Sequence, residues 1–202
     1  MAAPIDFYFD FSSPYGYFAS TRIDALGARY GRAVVWHPFL LGAAMKITGG
    51  TPLPDVPLKG DYARRDFARS AKYYGVEFRL PSAFPISSQA PARAFYWVDR
   101  NDPKQAKVLA AALYRAYFVE DVNISNPEDT IAICARLGYK SEEVRAAIND
   151  AAIKELVKAE VDKAIARGAF GSPYIVVDDE AFWGADRLEQ IEKWLASGGW
   201  KY

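Results

Sequence analysis

The chain has 202 residues, of which 51% are hydrophobic and 25% charged, a globular profile and a length that suits one large domain or one domain with a big insertion. Lys plus Arg is 25 and Asp plus Glu is 25; zero net charge argues against a life on nucleic acid or acidic membrane, where phosphate neutralisation drives binding, but leaves room for a local basic patch. One cysteine, Cys134, and one histidine, His37, exclude an internal disulfide, a CxxC pair, a thiolate zinc site and a two-histidine metal site.

No stretch approaches the run of 18 or so apolar residues that a spanning helix needs. The start, Met1 to Asp6, has no basic region followed by an apolar core, so no secretory leader is expected, and a reducing cytoplasm is the default setting.

Taken in order, Ile5 to Phe11 reads as an aromatic strand. Ser12-Ser13-Pro14 breaks it. Apolar spacing then predicts a helix from Tyr15 to Tyr30, capped by Ser12 or Ser13 with Pro14 in its first turn and closed by Gly31. Ala33 to Pro38 reads as a second strand, and a right-handed β-α-β crossover is expected. Pro52, Pro54 and Pro57 make residues 49–58 a loop.

Helices follow at 61–74, at 89–100, from Pro103 to about Glu120 behind an Asp102 cap, and from Asn126-Pro127 to Leu137. Ser141 starts a short one, and Asp150 caps another whose stripe is Ile153, Leu156, Val157, Val161 and Ile165. After Gly168 the pattern reverts. Tyr174 to Val177 is a strand, residues 178–180 turn, Ala181 to Trp183 pairs back, and a last helix carries Leu188, Ile191, Trp194 and Leu195. Strands confined to the two ends must meet in one sheet. The expected class is α/β, β-α-β … β-β-α with a large helical insertion; the sheet domain spans 1–48 and 168–202, the insertion 49–167.

Four constellations could carry chemistry. At Phe11-Ser12-Ser13-Pro14-Tyr15-Gly16-Tyr17 a serine meets a helix N-terminus, whose free N–H groups and dipole favour an anion or thiolate; plain capping is the other reading. Phe170-Gly171-Ser172-Pro173-Tyr174 sets a proline at the head of an interior strand, which makes sense if the Ser172–Pro173 bond is cis and presents the Ser172 backbone to a ligand. Phe182-Trp183-Gly184-Ala185-Asp186-Arg187 leads into the last helix, a natural carboxylate site, where Asp186 either caps the helix or meets a ligand. Lys46, Lys59, Arg64 and Arg65 flank the proline-rich loop as a basic set or as ordinary surface. Tyr62, Tyr73, Tyr74 and Phe84 read as core or rim. His37, between Trp36 and Pro38, has nothing to bring it to Ser13 for a triad, and Cys134 reads as a buried structural thiol.

In order and spacing, these motifs resemble the 2-hydroxychromene-2-carboxylate isomerases and the related kappa-class glutathione transferases. The resemblance runs nearly the whole chain. It implies a thioredoxin-like fold with a DsbA-type helical insertion. Redox relatives carry CxxC at the first turn of helix one; here that position reads Ser13-Pro14-Tyr15-Gly16, so the thiol must be borrowed.

By resemblance, glutathione supplies it. Ser13 then stands beside the sulfur and is the catalytic residue, Ser172 bonds the cysteinyl main chain, and Trp183, Gly184, Ala185 and Asp186 hold the γ-glutamyl end. Lys46, Lys59, Tyr62 and Phe84 fall where the electrophile binds. Two departures stand out. Leu53 and Pro54 replace an Asn-Arg pair and Phe84 a tyrosine, and Ala185 stands where relatives carry Asn or Ser. The expected activity is glutathione-dependent cis-trans isomerisation of a small acidic, unsaturated intermediate of aromatic catabolism. The alternatives are a kappa-like transferase and a non-catalytic thioredoxin-fold interaction protein. The resemblance also implies a homodimer. No metal, nucleic-acid or membrane partner is expected.

Overall fold

In a computed structural model, which describes residues 3–200, the first aromatic run forms β1 (Ile5–Phe9) at the centre of the sheet. Residues 1–2 and 201–202, the outer ends of the expected sheet domain and part of the start read for leader character, lie outside the described residues. Ile5, Phe7 and Phe9 are fully buried, and the Phe7 and Phe9 rings pack edge-on to Trp36 at 5.2 and 5.4 Å. The strand stops two residues short of the expected Phe11, because the Asp10 N–H leaves the ladder for Ser172 Oγ and the Asp10 carbonyl takes the Ser13 N–H.

β1 pairs in parallel with β2 (Val34–Pro38) and antiparallel with β3 (Tyr174–Val177). β3 continues into the hairpin partner β4 (Glu180–Trp183), giving the order β2-β1-β3-β4. The two ends of the chain therefore build one sheet, as strand placement requires.

The helix expected over 15–30 is two helices, α1 (Pro14–Ser20) and α2 (Ile23–Arg29). Ser20 and Thr21 hydroxyls donate back to the Tyr17 and Phe18 carbonyls, local bonds that compete with helix propagation, and Arg22 leaves helical geometry to lie over the Tyr74 ring. α3 (Leu41–Thr48) is a helix that sequence signals leave unassigned. Its N-cap, Leu40, offers no side-chain acceptor; the cap comes from far away, Asp10 Oδ2 accepting the Leu41 N–H at 2.7 Å.

α4 (Lys59–Tyr74) begins two residues early, behind Leu58 at φ 66°. The helical block continues as α5 (Gln89–Asp99), α6 (Pro103–Phe118), α7 (Pro127–Arg136), α8 (Ser141–Asn149) and α9 (Ala151–Ala166). Asp102, Asn126 and Asp150 cap α6, α7 and α9 through their side chains. α10 (Leu188–Ser197) closes the chain, with Trp194 against Phe182 at 5.7 Å.

His37 is fixed in the sheet, its Nε2 3.0 Å from Asp6 Oδ1 and its ring stacked on Tyr8. Cys134 is buried, and desolvation pushes its thiol up to about 12. No helix among the described residues is long and apolar enough to cross a membrane.

Candidate functional site

The turn from β1 into α1 places Ser13 at the N-cap, with extended backbone (φ −96°, ψ 115°). Pro14 at the first helical position removes one orphan N–H and presets the helix. Ser13 is 7% exposed. Its Oγ accepts the Gly16 N–H at 3.0 Å and donates to the Ser172 carbonyl at 2.9 Å. Of the two candidate caps, Ser13 is thus the one used. The Ser12 hydroxyl accepts the Ile86 N–H at 3.1 Å and also bonds Tyr117, holding the segment that carries Phe84 against the turn.

The Ser172–Pro173 bond is cis. Ser172 is 8% exposed, and its hydroxyl accepts the Asp10 N–H at 2.9 Å. The third motif joins the same place: the Gly184 N–H donates to the Pro173 carbonyl at 3.1 Å. Residues far apart in the chain, 13, 172 and 184, therefore meet in one hydrogen-bonded patch at the end of α1.

Around it, the Trp183 indole lies over Gly171 so closely that a Cβ there would fall 2.2 Å from Nε1. Trp183 is nonetheless 57% exposed and edge-on to Phe170 at 4.9 Å. Ala185 is buried, and Gly184 holds φ 116°, open to glycine alone at low cost. Residues 185–187 form a 3₁₀ turn against α1. Asp186 caps no helix, a correction to the capping reading: α10 starts behind Arg187 without a side-chain cap, and the Asp186 carboxylate is exposed beside Arg187 at 3.2 Å. It remains available to a cationic ligand group.

Two residues that sequence reasoning passed over shape the patch. Asp10 is 4% exposed. Its carboxylate accepts N–H groups of Ser12 and Leu41, both at 2.7 Å, and the Ser88 hydroxyl. Desolvation pushes the carboxyl above its ordinary range, with those three bonds pulling the other way. Gly16 is the second. A Cβ on it would lie 2.7 Å from Ser172 Oγ and 2.8 Å from Tyr114 Oη, so only glycine lets α1 approach the cis-proline loop. An acidic residue ending an aromatic strand was the one available signal for Asp10; nothing local marks Gly16.

The substrate-side candidates are looser. Lys46, in the last turn of α3, and Lys59, at the start of α4, are exposed. Tyr62 is exposed and takes a hydrogen bond from Arg69 at 3.1 Å. Phe84 is half-buried, its ring 6.0 Å from Phe67. α4 is braced to α1 through Tyr15, whose hydroxyl donates to Asp66 at 2.6 Å and whose ring meets Phe67 at 5.2 Å. The structure thus brings Phe84 to the Ser12–Ser13 turn through the 84–86 segment, but spreads Lys46, Lys59 and Tyr62 over α3 and α4.

A surface groove of about 620 Å³ between α5, α8 and α9, lined by Trp97, Arg100, Ala147 and Ile153, lies apart from this patch, where the polar groups converge. Among the described residues no cluster of three His, Cys, Asp or Glu side chains could hold a metal ion.

The likenesses to known proteins follow this geometry. The chain is 29% identical to a 2-hydroxychromene-2-carboxylate isomerase of Pseudomonas putida, over 93% of this chain and 92% of that one. It is 26% identical to glutathione S-transferase kappa 2 of Caenorhabditis elegans, over 95% and 91%. A solved 2-hydroxychromene-2-carboxylate isomerase superposes with a TM-score of 0.85 at 28% identity, covering 96% of this chain and 94% of the other. A probable DsbA oxidoreductase of Streptomyces coelicolor shares the fold at 20% identity and a TM-score of 0.78, over 100% and 93%. The family model of the DSBA-like thioredoxin domain matches residues 4–196, and the chain belongs to that family.

Proposed function

We propose that this protein is a glutathione-dependent isomerase of the 2-hydroxychromene-2-carboxylate type. The observation that carries the reading is a buried serine hydroxyl at a helix N-terminus, facing the carbonyl before a cis-proline, in a chain whose single thiol, Cys134, is buried elsewhere. Such a place suits a thiolate that the protein does not itself supply.

In this reading the cysteinyl main chain of glutathione meets Ser172. The γ-glutamyl end lies on the turn of Trp183, Gly184, Ala185 and Asp186, its ammonium toward the Asp186 carboxylate. Ser13 and the α1 N-terminus lower the thiol pKa, so that more thiolate is present near neutral pH. The thiolate adds to a conjugated carbon of an acidic, unsaturated substrate, and the electron pair moves into the conjugated system. The former double bond, now single, rotates. The pair returns, the alkene re-forms in the other geometry and the thiolate leaves, so atoms and electrons balance with glutathione unchanged. Lys46, Lys59, Tyr62 and Phe84 belong to the electrophile side. A homodimer in the cytoplasm completes the reading, on family resemblance.

The Ser13→Ala variant tests it. Loss of one preorganised donor at a developing anion costs about 100-fold in turnover, while glutathione affinity falls only modestly; unchanged turnover removes Ser13 from the mechanism. Likeness to the kappa class favours a second reading, transfer of glutathione onto the electrophile. A stable thioether product means transferase; an isomer with glutathione regenerated means isomerase.

A further inference from the structure

The Ser13 hydroxyl carries a single hydrogen, and that hydrogen is already engaged by the Ser172 carbonyl at 2.9 Å. A thiolate beside Ser13 needs the same hydrogen. The neighbouring tyrosine hydroxyls are engaged elsewhere: Tyr114 donates to the Asp10 carbonyl, Tyr15 to Asp66 and Tyr117 to the Ala83 carbonyl.

We infer that Ser13 and Ser172 form a hydrogen-bond exchange in which an N–H arriving at the Ser172 carbonyl takes over that acceptor and frees the Ser13 O–H for the sulfur. The inference rests on the glutathione reading above, which brings a cysteinyl N–H to that carbonyl.

The fixed parts of the site allow the exchange to be small. Ser13 Oγ is pinned as an acceptor by the Gly16 N–H at 3.0 Å, so its hydrogen turns about the Cβ–Oγ bond while the oxygen stays in place. Ser172 is held by the Asp10 N–H on its hydroxyl, and Pro173 by the Gly184 N–H on its carbonyl. Both serines are buried, 7% and 8% exposed, so solvent is a poor replacement donor, and a buried carbonyl left without one is costly. The hydroxyl therefore leaves Ser172 when another donor arrives. The thiol's own proton goes to solvent, and Ser13 keeps its hydrogen throughout. The site thereby activates a thiol carried by a correctly docked peptide backbone, and leaves a simple thiol of equal acidity unactivated.

The test titrates the bound thiol by its ultraviolet thiolate absorbance, in wild-type protein and in Ser13→Ala. Two ligands are used at concentrations shown by calorimetry to saturate: glutathione, and glutathione N-methylated at the cysteinyl amide. In the wild type, bound glutathione is expected to titrate about one unit or more below its value in free solution, and Ser13→Ala erases most of that shift. The N-methyl analogue titrates near its free value in both proteins. An equal effect of Ser13→Ala on the two ligands overturns the exchange while leaving glutathione binding intact.

A second arm needs no thiolate. S-methylglutathione is expected to bind Ser13→Ala at least as tightly as wild type, because the Ser172 carbonyl no longer has a donor to give up. Binding weakened about five-fold or more contradicts it. Absence of heat with glutathione and wild-type protein overturns the glutathione reading itself, and the exchange with it.

Discussion

The floor of the candidate site and its rim are built differently. On the floor, Asp10, Ser13, Gly16, Ser172 and Gly184 come from three distant segments and are tied by hydrogen bonds that cross between them, Gly184 through the Pro173 carbonyl. On the rim, α3 and α4 present Lys46, Lys59 and Tyr62 to solvent, and Leu58 stands 96% exposed at φ 66°. Placing a sulfur within hydrogen-bond reach of a serine needs a floor fixed to a few tenths of an ångström. A rim that would only meet an electrophile, as in the proposed reading, has no such demand on its geometry. The lesson is that a tightly tied floor and a solvent-facing rim are built by separate parts of this fold.

The contrast predicts a graded set of effects. Gly16→Ala should be the most damaging, because its Cβ falls within 2.8 Å of two oxygens that are themselves held by Asp10. Overpacking of this kind costs about 1–3 kcal/mol, and it separates Ser13 from Ser172; denaturant unfolding and glutathione calorimetry should both register the loss. A variant with native stability and full glutathione affinity breaks the idea of a rigid floor.

Asp10→Ala comes next. It strips the acceptor from the Ser12 and Leu41 N–H groups and the Ser88 hydroxyl, at about 1–3 kcal/mol for each buried group left unmet, partly offset by relief of a buried charge. Urea unfolding should show a net loss of about 2 kcal/mol or more, and α3, whose N-terminus Asp10 caps, should exchange its amides faster. Protection of α3 unchanged from wild type would show that the cap is dispensable.

The brace between α1 and α4 gives a pH effect. Burial pushes Asp66 up, but hydrogen bonds from Tyr15, Arg69 and Ser70 outweigh it and leave the carboxyl below its ordinary value. A depressed folded pKa contributes stability above the unfolded value of about 3.9, and that stability is lost as pH falls through the folded one. Asp66→Asn should therefore lower the melting temperature at neutral pH and flatten the acid limb of its pH profile; an acid limb as steep as wild type argues against the brace.

Lys46→Ala should do least. An exposed charge contributes about 1 kcal/mol or less, so KM for an acidic electrophile should rise a few-fold, with glutathione affinity and melting temperature unmoved. Loss of glutathione binding in this variant would merge rim and floor.

Much of the floor was legible in the sequence because its signals are local. Ser-Pro at a strand-to-helix break, Ser172-Pro173 ahead of an apolar strand, and Trp-Gly-Ala-Asp ahead of a helix each carry a mechanism in a few residues. Helix starts at Asp102, Asn126 and Asp150 were legible for the same reason. What was not legible depends on partners far along the chain. α3 is capped by Asp10, 31 residues away. Gly16 matters because of Ser172 and Tyr114. The break between α1 and α2 comes from two hydroxyls turning back on carbonyls that periodicity counts as helical. Asp186 looked like a cap because it precedes a helix, but an intervening 3₁₀ turn carries it out to solvent.

A crystal of this protein soaked with glutathione tests the central claim most directly. The account predicts the sulfur within hydrogen-bond distance of Ser13 Oγ, and the cysteinyl N–H on the Ser172 carbonyl in place of the Ser13 hydroxyl. Glutathione bound elsewhere, or at this place with its sulfur turned away from Ser13, would contradict it.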